Sequence, residues 1–265
     1  MRHTAAALTL LLFALYAAMF PGSTITVALN QVPSWGVWMG SALLILQGLI
    51  MLSWLGVCYG WRGLLAGGLI SMLGLMIENL GVTTGLPFGA YYYTSVLQPQ
   101  ILGRVPLAIG AAWLMIIPCA AELGIRIARH WQIRWHVALS ATLVVLLDLQ
   151  IEPVATRASS YWVWLEPGPY YGVPLINFAA WWLVGAGLIW GQLRVRGDRP
   201  QPLPGRTLQH LPPVMVLMSV TMFTTINLAR GYWLAGGVGL LMLLVAALTL
   251  RHQAARIRIR HQPSD

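Results

Sequence analysis

Residues 148–182 read DLQIEPVATRASSYWVWLEPGPYYGVPLINFAAWW, and they join two apolar segments through a loop rich in aromatic side chains. Asp148 and Glu152 are four residues apart at the end of the first apolar segment, so on a helix they lie on the same face. Pro153 comes next and lacks a backbone N–H, which predicts that the helix stops there. Two carboxyl groups are therefore expected at the end of one helix.

The second apolar segment begins at Pro174, and the fixed backbone angle of proline suits the first position of a helix. Asn177 and Trp181 follow one and two turns later and share a face of that helix. The ends of two predicted helices thus present polar groups to the same aromatic loop. We interpret this stretch as the site that the remaining helices support.

The overall composition is that of a membrane protein with several spans. Of the 265 residues, 58% are hydrophobic and 9% are charged, and the mean hydropathy is +0.70. These values exclude a water-soluble enzyme. The net charge is +9 and every basic residue is arginine, but the arginines flank apolar segments, where they set membrane orientation. We therefore expect no binding to nucleic acid.

A helix crosses a bilayer with about 20 apolar residues, and this length predicts eight spans. The predicted spans cover residues 5–28, 35–58, 64–82, 105–127, 135–152, 174–193, 212–229 and 232–250. The first follows Arg2 as in a signal peptide, but no small-residue cleavage site follows it, so we expect a retained helix. The sequence thus predicts an all-α, polytopic helical bundle. It forms one integral membrane domain over residues 1–265, with a basic cytoplasmic tail at 251–265.

Arginine positions predict the orientation of this bundle. With both termini in the cytoplasm, 13 arginines lie inside and only Arg104, Arg157 and Arg230 lie outside, as the positive-inside rule requires. The long loops 83–104 and 153–173 then share the outer side of the membrane. We expect a multi-pass protein of a bacterial inner membrane.

Three carboxyl groups are predicted at a similar depth in the outer half of the bundle, those of Glu78, Asp148 and Glu152. Ionisable groups inside a membrane are costly and mark functional sites by default. A buried carboxylic acid can donate a proton, so each is a candidate catalytic residue. The alternative is that they only tie helices together, through hydrogen bonds to Asn79, Asn177, Arg157 or the backbone.

Aromatic residues flank the three acids along the sequence, namely Tyr91, Tyr92, Tyr93, Trp162, Trp164, Tyr170 and Tyr171. Tyrosine and tryptophan also form ordinary belts where a protein meets the membrane surface, which would account for most of them without a site. The negative face of an aromatic ring, however, stabilises a carbocation as it stabilises any cation. Aromatic rings beside buried carboxyl groups suit acid-initiated alkene chemistry.

Several enzyme classes are disfavoured by what the sequence lacks. All six histidines lie outside the spans or at their cytoplasmic edges, and none belongs to a di-iron or haem ligand set. Gly236, Gly237 and Gly239 lie inside a span and are predicted packing positions, not a dinucleotide site. We therefore expect no cofactor and no metal. A membrane prenyltransferase is a lesser alternative, since DLQIE is a poor match to an aspartate-rich magnesium motif.

Two further predictions concern structure alone. Glu122 and Arg126 are one helical turn apart in the inner half of the bundle and are predicted to form an ion pair. Cys58 and Cys119 lie inside apolar spans without a partner at metal or redox spacing. We expect them to be small buried side chains.

Five segments follow one another in a fixed order: IENLGVTTGLPFGAYYYT (77–94), PLAIGAAWLMIIP (106–118), DLQIEP (148–153), YWVW (161–164) and GPYYGVPLINFAAWWLVG (168–185). Together they resemble the membrane carotenoid hydratase family, which includes bisanhydrobacterioruberin hydratases and carotenoid 1,2-hydratases. The similarity covers about residues 70–190, the motif-bearing core of the domain. The first two and last two spans match only in hydropathy.

The resemblance implies an enzyme that adds water across the terminal double bond of an acyclic carotenoid without a redox cofactor. Carried over by position, it implies a site formed by Glu78, Pro87 and Phe88 of the GLPFG segment, Tyr91, Tyr93, Asp148, Trp162, Tyr170, Tyr171, Pro174 and Asn177. Glu152 stands where the family leads us to expect an aspartate.

We therefore predict a cofactor-independent hydro-lyase, a carotenoid 1,2-hydratase. Asp148, with Glu152 as its rival, is predicted to protonate the alkene, and Glu78 to activate the attacking water. Substrate binding is assigned to Asn177, to Pro87 and to the aromatic residues Phe88, Tyr91, Tyr93, Trp162, Trp164, Tyr170, Tyr171 and Trp181. The ring faces of Trp162, Tyr170 and Tyr171 would also stabilise the cation.

The expected partners are an acyclic carotenoid such as lycopene, water, the lipid bilayer and other membrane enzymes of the carotenoid pathway. Two other functions fit the same residues. A membrane transporter would keep polar groups at the ends of spans. A non-catalytic carotenoid- or lipid-binding protein would keep the aromatic residues and tolerate loss of the acids.

Overall fold

The computed structural model describes residues 2–128, 131–197 and 205–260. That part of the chain forms eight α-helices. They are α1 (Arg2–Ala28), α2 (Met39–Tyr59), α3 (Trp61–Thr84), α4 (Leu107–Ile127), α5 (Ile133–Pro153), α6 (Leu175–Arg196), α7 (Arg206–Ala229) and α8 (Trp233–Arg260). Each predicted span corresponds to one helix, so the all-α prediction is confirmed.

Among the described residues, seven helices are long and apolar enough to cross a membrane, and α8 contains a shorter apolar segment, Trp233–Thr249. Helix α4 occupies the centre of the bundle, since 72% of its most apolar window is buried and it contacts α2, α3, α5, α6 and α7. Helix α1 lies at the rim, with 17% of the corresponding window buried. Cys58 and Cys119 are buried free cysteines, as predicted.

Four short strands lie in the two long loops: β1 (Tyr91–Tyr93), β2 (Gln100–Ile101), β3 (Val105–Pro106) and β4 (Trp162–Trp164). β2 and β3 form a local hairpin between α3 and α4. β1 pairs antiparallel with β4, which places Tyr91 opposite Trp164 and Tyr93 opposite Trp162. Because β1 follows α3 and β4 follows α5, both long loops lie at the same end of the bundle, as predicted.

The end of α5 differs from the prediction, because Pro153 does not stop the helical path. The chain continues through one π-helical turn at Val154–Ala158. Pro153 cannot donate a hydrogen bond to the carbonyl of Leu149, but the hydroxyl of Tyr170 donates to that oxygen at 2.6 Å. A side chain from the following loop thus satisfies the freed carbonyl, and the helix need not end there.

The same compensation occurs in α7, where two adjacent prolines at 212–213 leave the carbonyls of Leu208 and Gln209 without helical donors. The indole N–H of Trp54 on α2 donates to the Leu208 oxygen at 2.8 Å. The guanidinium of Arg126 on α4 donates to the Gln209 oxygen. These two bonds attach α7 to the centre of the bundle.

The predicted ion pair between Glu122 and Arg126 is wrong. Glu122 pairs with Arg196 of α6, while Arg126 reaches the carbonyl on α7 described above. The Tyr59 hydroxyl also donates to Glu122 at 3.2 Å, and the Arg196 guanidinium lies 4.5 Å from the centre of the Tyr59 ring. Glu122 therefore connects α2, α4 and α6, rather than two turns of its own helix.

Glycines let α8 pack closely on its neighbours. A Cβ atom at Gly239 would lie 1.9 Å from Oγ1 of Thr224 and 2.3 Å from Oε1 of Gln150. The Thr224 hydroxyl lies 3.0 Å from that Gln150 oxygen and shares its one proton with the Val220 carbonyl at 2.6 Å, so Gly239 covers a buried polar contact. A Cβ at Gly236 would also meet α7, 2.5 Å from a Leu228 methyl.

Gly237 does not fit the packing prediction, since a Cβ there would meet nothing within 4 Å. It provides a matched control for Gly239 on the same helix. We expect Gly239→Ala to lower the free energy of unfolding by about 1–3 kcal/mol, because the added methyl displaces the Thr224–Gln150 contact. Gly237→Ala should keep it or raise it by up to about 1 kcal/mol, because alanine favours a helix more than glycine does. Unfolding midpoints in detergent check this, and equal midpoints for the two variants would contradict it.

Candidate functional site

A cavity of about 680 Å³ opens inside the bundle at the end that carries the long loops. Helices α1 to α7 and the paired strands β1 and β4 all contribute to its wall. Most of the lining is apolar, for example Met19, Leu43, Ile116 and Phe223, and the acidic side chains in the lining are those of Glu78 and Glu152. The cavity therefore suits an apolar ligand that meets two carboxyl groups.

Glu78, near the end of α3, is buried and accepts three hydrogen bonds. The hydroxyls of Tyr91 and Tyr93 donate to its Oε2 atom at 2.5 and 2.8 Å. The indole N–H of Trp113 on α4 donates to Oε1 at 3.0 Å. Burial and the adjacent Glu78 carboxyl raise the pKa of both tyrosines, so they stay protonated and act as donors.

Glu152, near the end of α5, also accepts three hydrogen bonds. The indoles of Trp162 and Trp164 donate to its Oε2 atom at 3.2 and 3.0 Å. The amide of Asn177 on α6 donates to Oε1 at 3.1 Å and also to Oδ2 of Asp148 at 3.0 Å. Asn177 therefore holds the two carboxyl groups of α5 together through a single NH₂ group.

The pairing of β1 with β4 explains why these donors converge. Side chains two residues apart on a strand point to the same face of it. Tyr91 and Tyr93 thus face the cavity from one strand, and Trp162 and Trp164 face it from the other. Between them, Tyr92 is exposed on the opposite face. The ribbon formed by β1 and β4 supplies two donors to each of the two acids.

Among the residues that the structure describes, no cation balances the three acids. Within residues 2–128, 131–197 and 205–260, none of the three carboxyl groups forms a salt bridge. Arg157, which the sequence left open as a partner, donates instead to the backbone carbonyl of Tyr171 at 2.8 Å. In the same part of the chain, no three His, Cys, Asp or Glu side chains are placed to hold a metal ion. The carboxyl groups are held by neutral N–H and O–H donors.

Aromatic rings form much of the wall beside the acids. Trp113 stacks on Trp181, with ring centroids 4.1 Å apart and planes 16° from parallel. Tyr91 lies against Trp164, with centroids 5.0 Å apart, and Phe88 completes the group with its ring edge towards Tyr91. A ligand in the cavity would meet ring faces next to both carboxyl groups.

A family model described as "carotenoid biosynthesis protein" matches residues 39–246. This chain belongs to that family. It is also 35% identical over 112 residues to the bisanhydrobacterioruberin hydratase of Haloarcula japonica. The match covers 42% of this chain and 38% of the hydratase, so it spans well under half of each protein. No solved structure matches the chain.

The structure of this carotenoid biosynthesis protein brings most of the predicted site residues into one lining. These are Glu78, Phe88, Tyr91, Tyr93, Glu152, Trp162, Trp164, Asn177 and Trp181. Asp148 is fully buried behind Glu152 and is not part of the lining, and its Oδ1 atom has no hydrogen-bond partner among the described residues. Pro87 also lies outside the lining.

Tyr170 and Tyr171 also lie outside the lining and instead brace the end of α5. Tyr170 binds the Leu149 carbonyl, as described above. The Tyr171 hydroxyl accepts a hydrogen bond from the backbone N–H of Leu234 at 3.0 Å, and its ring lies under the Arg157 guanidinium. In this structure both tyrosines connect the loop to neighbouring helices.

Sequence reasoning missed Trp113, which donates to Glu78 and stacks on Trp181. A signal was present, because Trp113 stands well inside an apolar span and not at its edge, where tryptophans of an interfacial belt occur. Gly74 on α3 makes room for this ring, since a Cβ there would lie 2.7 Å from Trp113. Tyr16 and Gln47, which line the cavity from α1 and α2, were missed as well.

Asn177→Leu tests whether the amide holds the two acids of α5 together. We expect the free energy of unfolding to fall by about 1–3 kcal/mol, because two buried carboxyl groups lose a donor while the branched shape of the side chain is kept. Asn79→Leu is the control, since Asn79 is only half-buried on α3; it should change the value by less than about 0.5 kcal/mol. Thermal unfolding in detergent measures both, and equal stability of the two variants would argue against the bridging role.

Proposed function

We propose that this protein is a carotenoid hydratase that adds water across the terminal double bond of an acyclic carotenoid. The observation that carries the proposal is a pair of buried carboxyl groups, those of Glu78 and Glu152, facing one apolar cavity lined by aromatic rings. Membership of the carotenoid biosynthesis family and the similarity to a hydratase support the choice of ligand and reaction. The chemistry of the two acids supports the mechanism.

The hydrogen-bond donors leave one free acceptor position on each of the two acids. A carboxylate offers about four lone-pair positions, and the structure fills three of them on Glu78 and three on Glu152. The remaining position on each is on Oε1. One acid can hold a proton there while the other accepts one, which is what an acid–base pair requires.

Glu152 is the proton donor in this proposal, because it faces the cavity whereas Asp148 lies behind it. Transfer of its proton to the terminal alkene leaves a tertiary cation on the neighbouring carbon. The ring faces of Trp113, Trp162 and Trp181 lie in the same wall and stabilise that cation. Asp148 acts on Glu152 through the shared amide of Asn177, as a positioning residue.

Glu78 is the base. It orients a water molecule, accepts one of its protons as the oxygen bonds to the cation, and so yields the tertiary alcohol. Return of that proton from Glu78 to Glu152 restores the starting state, so the reaction consumes only water and alkene. Trp113, Tyr91 and Tyr93 keep the Glu78 carboxylate stable in the apolar cavity.

The test is to produce the protein in a lycopene-producing bacterium and to analyse the pigments by liquid chromatography and mass spectrometry. The wild type should yield a more polar pigment, heavier by one water per reacted end, with the visible spectrum of lycopene. Glu152→Gln and Glu78→Gln should each reduce this product by about 100-fold or more. Glu166→Gln is the control, since Glu166 is exposed in the same outer loop, and it should retain full activity.

Asp148→Asn separates the two candidate donors. In the proposed mechanism it keeps measurable activity, because the side chain that reaches the ligand is unchanged. Loss of product in Asp148→Asn with full activity in Glu152→Gln would instead identify Asp148 as the donor. Pigment that stays bound and unaltered in wild type and in all acid variants would favour a carotenoid-binding or transport protein.

A further inference from the structure

A second cavity, of about 680 Å³, lies between α3 and α6 on the outside of the bundle. We call it the α3–α6 groove. On α3 its lining runs from Ala66 to Thr83, which is roughly 26 Å at a rise of about 1.5 Å per residue. Leu73 and Met76 in this lining have exposed fractions of 44% and 60%, so the groove is open to the surrounding lipid.

Two glycines make the α6 wall of the groove hollow. Gly187 and Gly191 lie one turn apart in the lining, and a Cβ atom at either would meet nothing within 4 Å. Gly185 on the same helix differs, because a Cβ there would touch the Val144 side chain of α5 at 3.5 Å. The two glycines of the groove therefore do not serve packing within the chain, and the space they leave suits an apolar chain.

Two exposed arginines flank the end of the groove that lies away from the long loops. Arg62 lies one turn before Ala66 on α3, so it continues the groove face of that helix. Arg194 lies three residues after Gly191 and does the same on α6. A guanidinium nitrogen of Arg62 is 3.7 Å from the Cβ position of Gly197, which places that side chain beside the end of α6.

Both arginines are available to bind an anion. Neither forms an ion pair with a carboxyl group in the part of the chain that the structure describes, whereas the buried Arg196 is paired with an acid. The guanidinium of Arg62 lies 5.6 Å from the centre of the Trp61 ring, and that of Arg194 lies 5.2 Å from the Trp190 ring. Stacking on a ring orients a guanidinium and leaves its N–H groups free to donate.

We propose that the α3–α6 groove binds one anionic phospholipid, with an acyl chain along Gly187 and Gly191 and the phosphate between Arg62 and Arg194. The phosphate lies outside the apolar lining, where the two guanidinium groups are exposed. Basic sites between membrane helices bind anionic head groups in this way. Two positive charges exceed the single charge of a phosphate, so a head group without a positive charge of its own is preferred.

The length of an acyl chain fits this arrangement. Each leaflet provides about half of a hydrocarbon core that is about 30 Å thick, so a chain reaches about 15 Å from its phosphate. Gly187 lies roughly 10 Å from Arg194 along α6. A chain that begins at the arginines therefore passes both glycines.

Native mass spectrometry of the purified full chain measures how tightly the first lipid binds. The probes are phosphatidylglycerol and phosphatidylcholine with the same palmitoyl and oleoyl chains. The wild type should bind phosphatidylglycerol about tenfold more tightly than phosphatidylcholine. Arg62→Gln and Arg194→Gln should each weaken binding of phosphatidylglycerol about tenfold, because a charge-assisted hydrogen bond to the phosphate is lost.

Arg134→Gln is the matched control for the two arginine variants. Arg134 is also exposed and lies over a tryptophan, 5.4 Å from the centre of the Trp135 ring. It belongs to α5, which contributes no residue to the groove. This variant should change the affinity for phosphatidylglycerol less than twofold.

The acyl-chain part of the site is tested by filling the groove. Gly191→Leu and Gly187→Leu should each weaken binding of both lipids about tenfold, because the leucine side chain occupies the space of the acyl chain. Gly237→Leu is the control, since a Cβ at Gly237 on α8 also meets nothing within 4 Å but lies outside the groove lining. It should leave both affinities unchanged.

Equal affinities for phosphatidylglycerol in the three arginine variants would overturn the proposal, as would unchanged lipid binding in both groove glycine variants. A dimer mass in the wild type that the groove glycine variants abolish, with unchanged lipid binding, would identify a second copy of the chain as the occupant instead. These measurements involve no carotenoid, so the lipid site and the proposed hydratase activity succeed or fail separately.

Discussion

The absence of water in a bilayer is the constraint on which this structure depends, because a buried polar group can find a partner only within the chain or in a ligand. The prolines within helices show how this constraint acts on backbone carbonyls. Carbonyls that Pro153 and the prolines at 212–213 leave free are bound by Tyr170, Trp54 and Arg126 from other elements. Each of these bonds joins two parts of the chain that are distant in sequence, so local helix defects become tertiary contacts.

The acid site follows from the same constraint. Charge neutralisation by arginine would hold the carboxyl groups as ions and occupy their oxygens. Here neutral indole, phenol and amide groups provide the hydrogen bonds to the carboxyl oxygens. At the other end of the bundle an ion pair is used instead, since Glu122 is paired with Arg196. The two ends of the bundle thus stabilise buried acids differently, and the cavity lined by Glu78 and Glu152 lies at the end that carries the long loops.

The sequence was sufficient for the helices, the shared side of the long loops and the convergence of most site residues, because apolar length and residue spacing determine these features. The sequence was insufficient wherever the contact partner of a side chain came from another helix or loop. Spacing placed Asp148 and Glu152 on one face, but only packing shows that Glu152 faces the cavity and Asp148 lies behind it. Likewise Glu122 was assigned a neighbour on its own helix, and Tyr170 was assigned to the ligand when it binds a carbonyl freed by proline.

The ribbon of β1 and β4 has a consequence for how the site could be switched. Its four donors reach Glu78 from one strand and Glu152 from the other, and the strands are only three residues long. If the two strands separated, both carboxyl groups would lose donors in the same event. The hydrogen bonds to Glu78 and to Glu152 therefore depend on the same strand pairing, so opening of this one short ribbon would release both carboxyl groups.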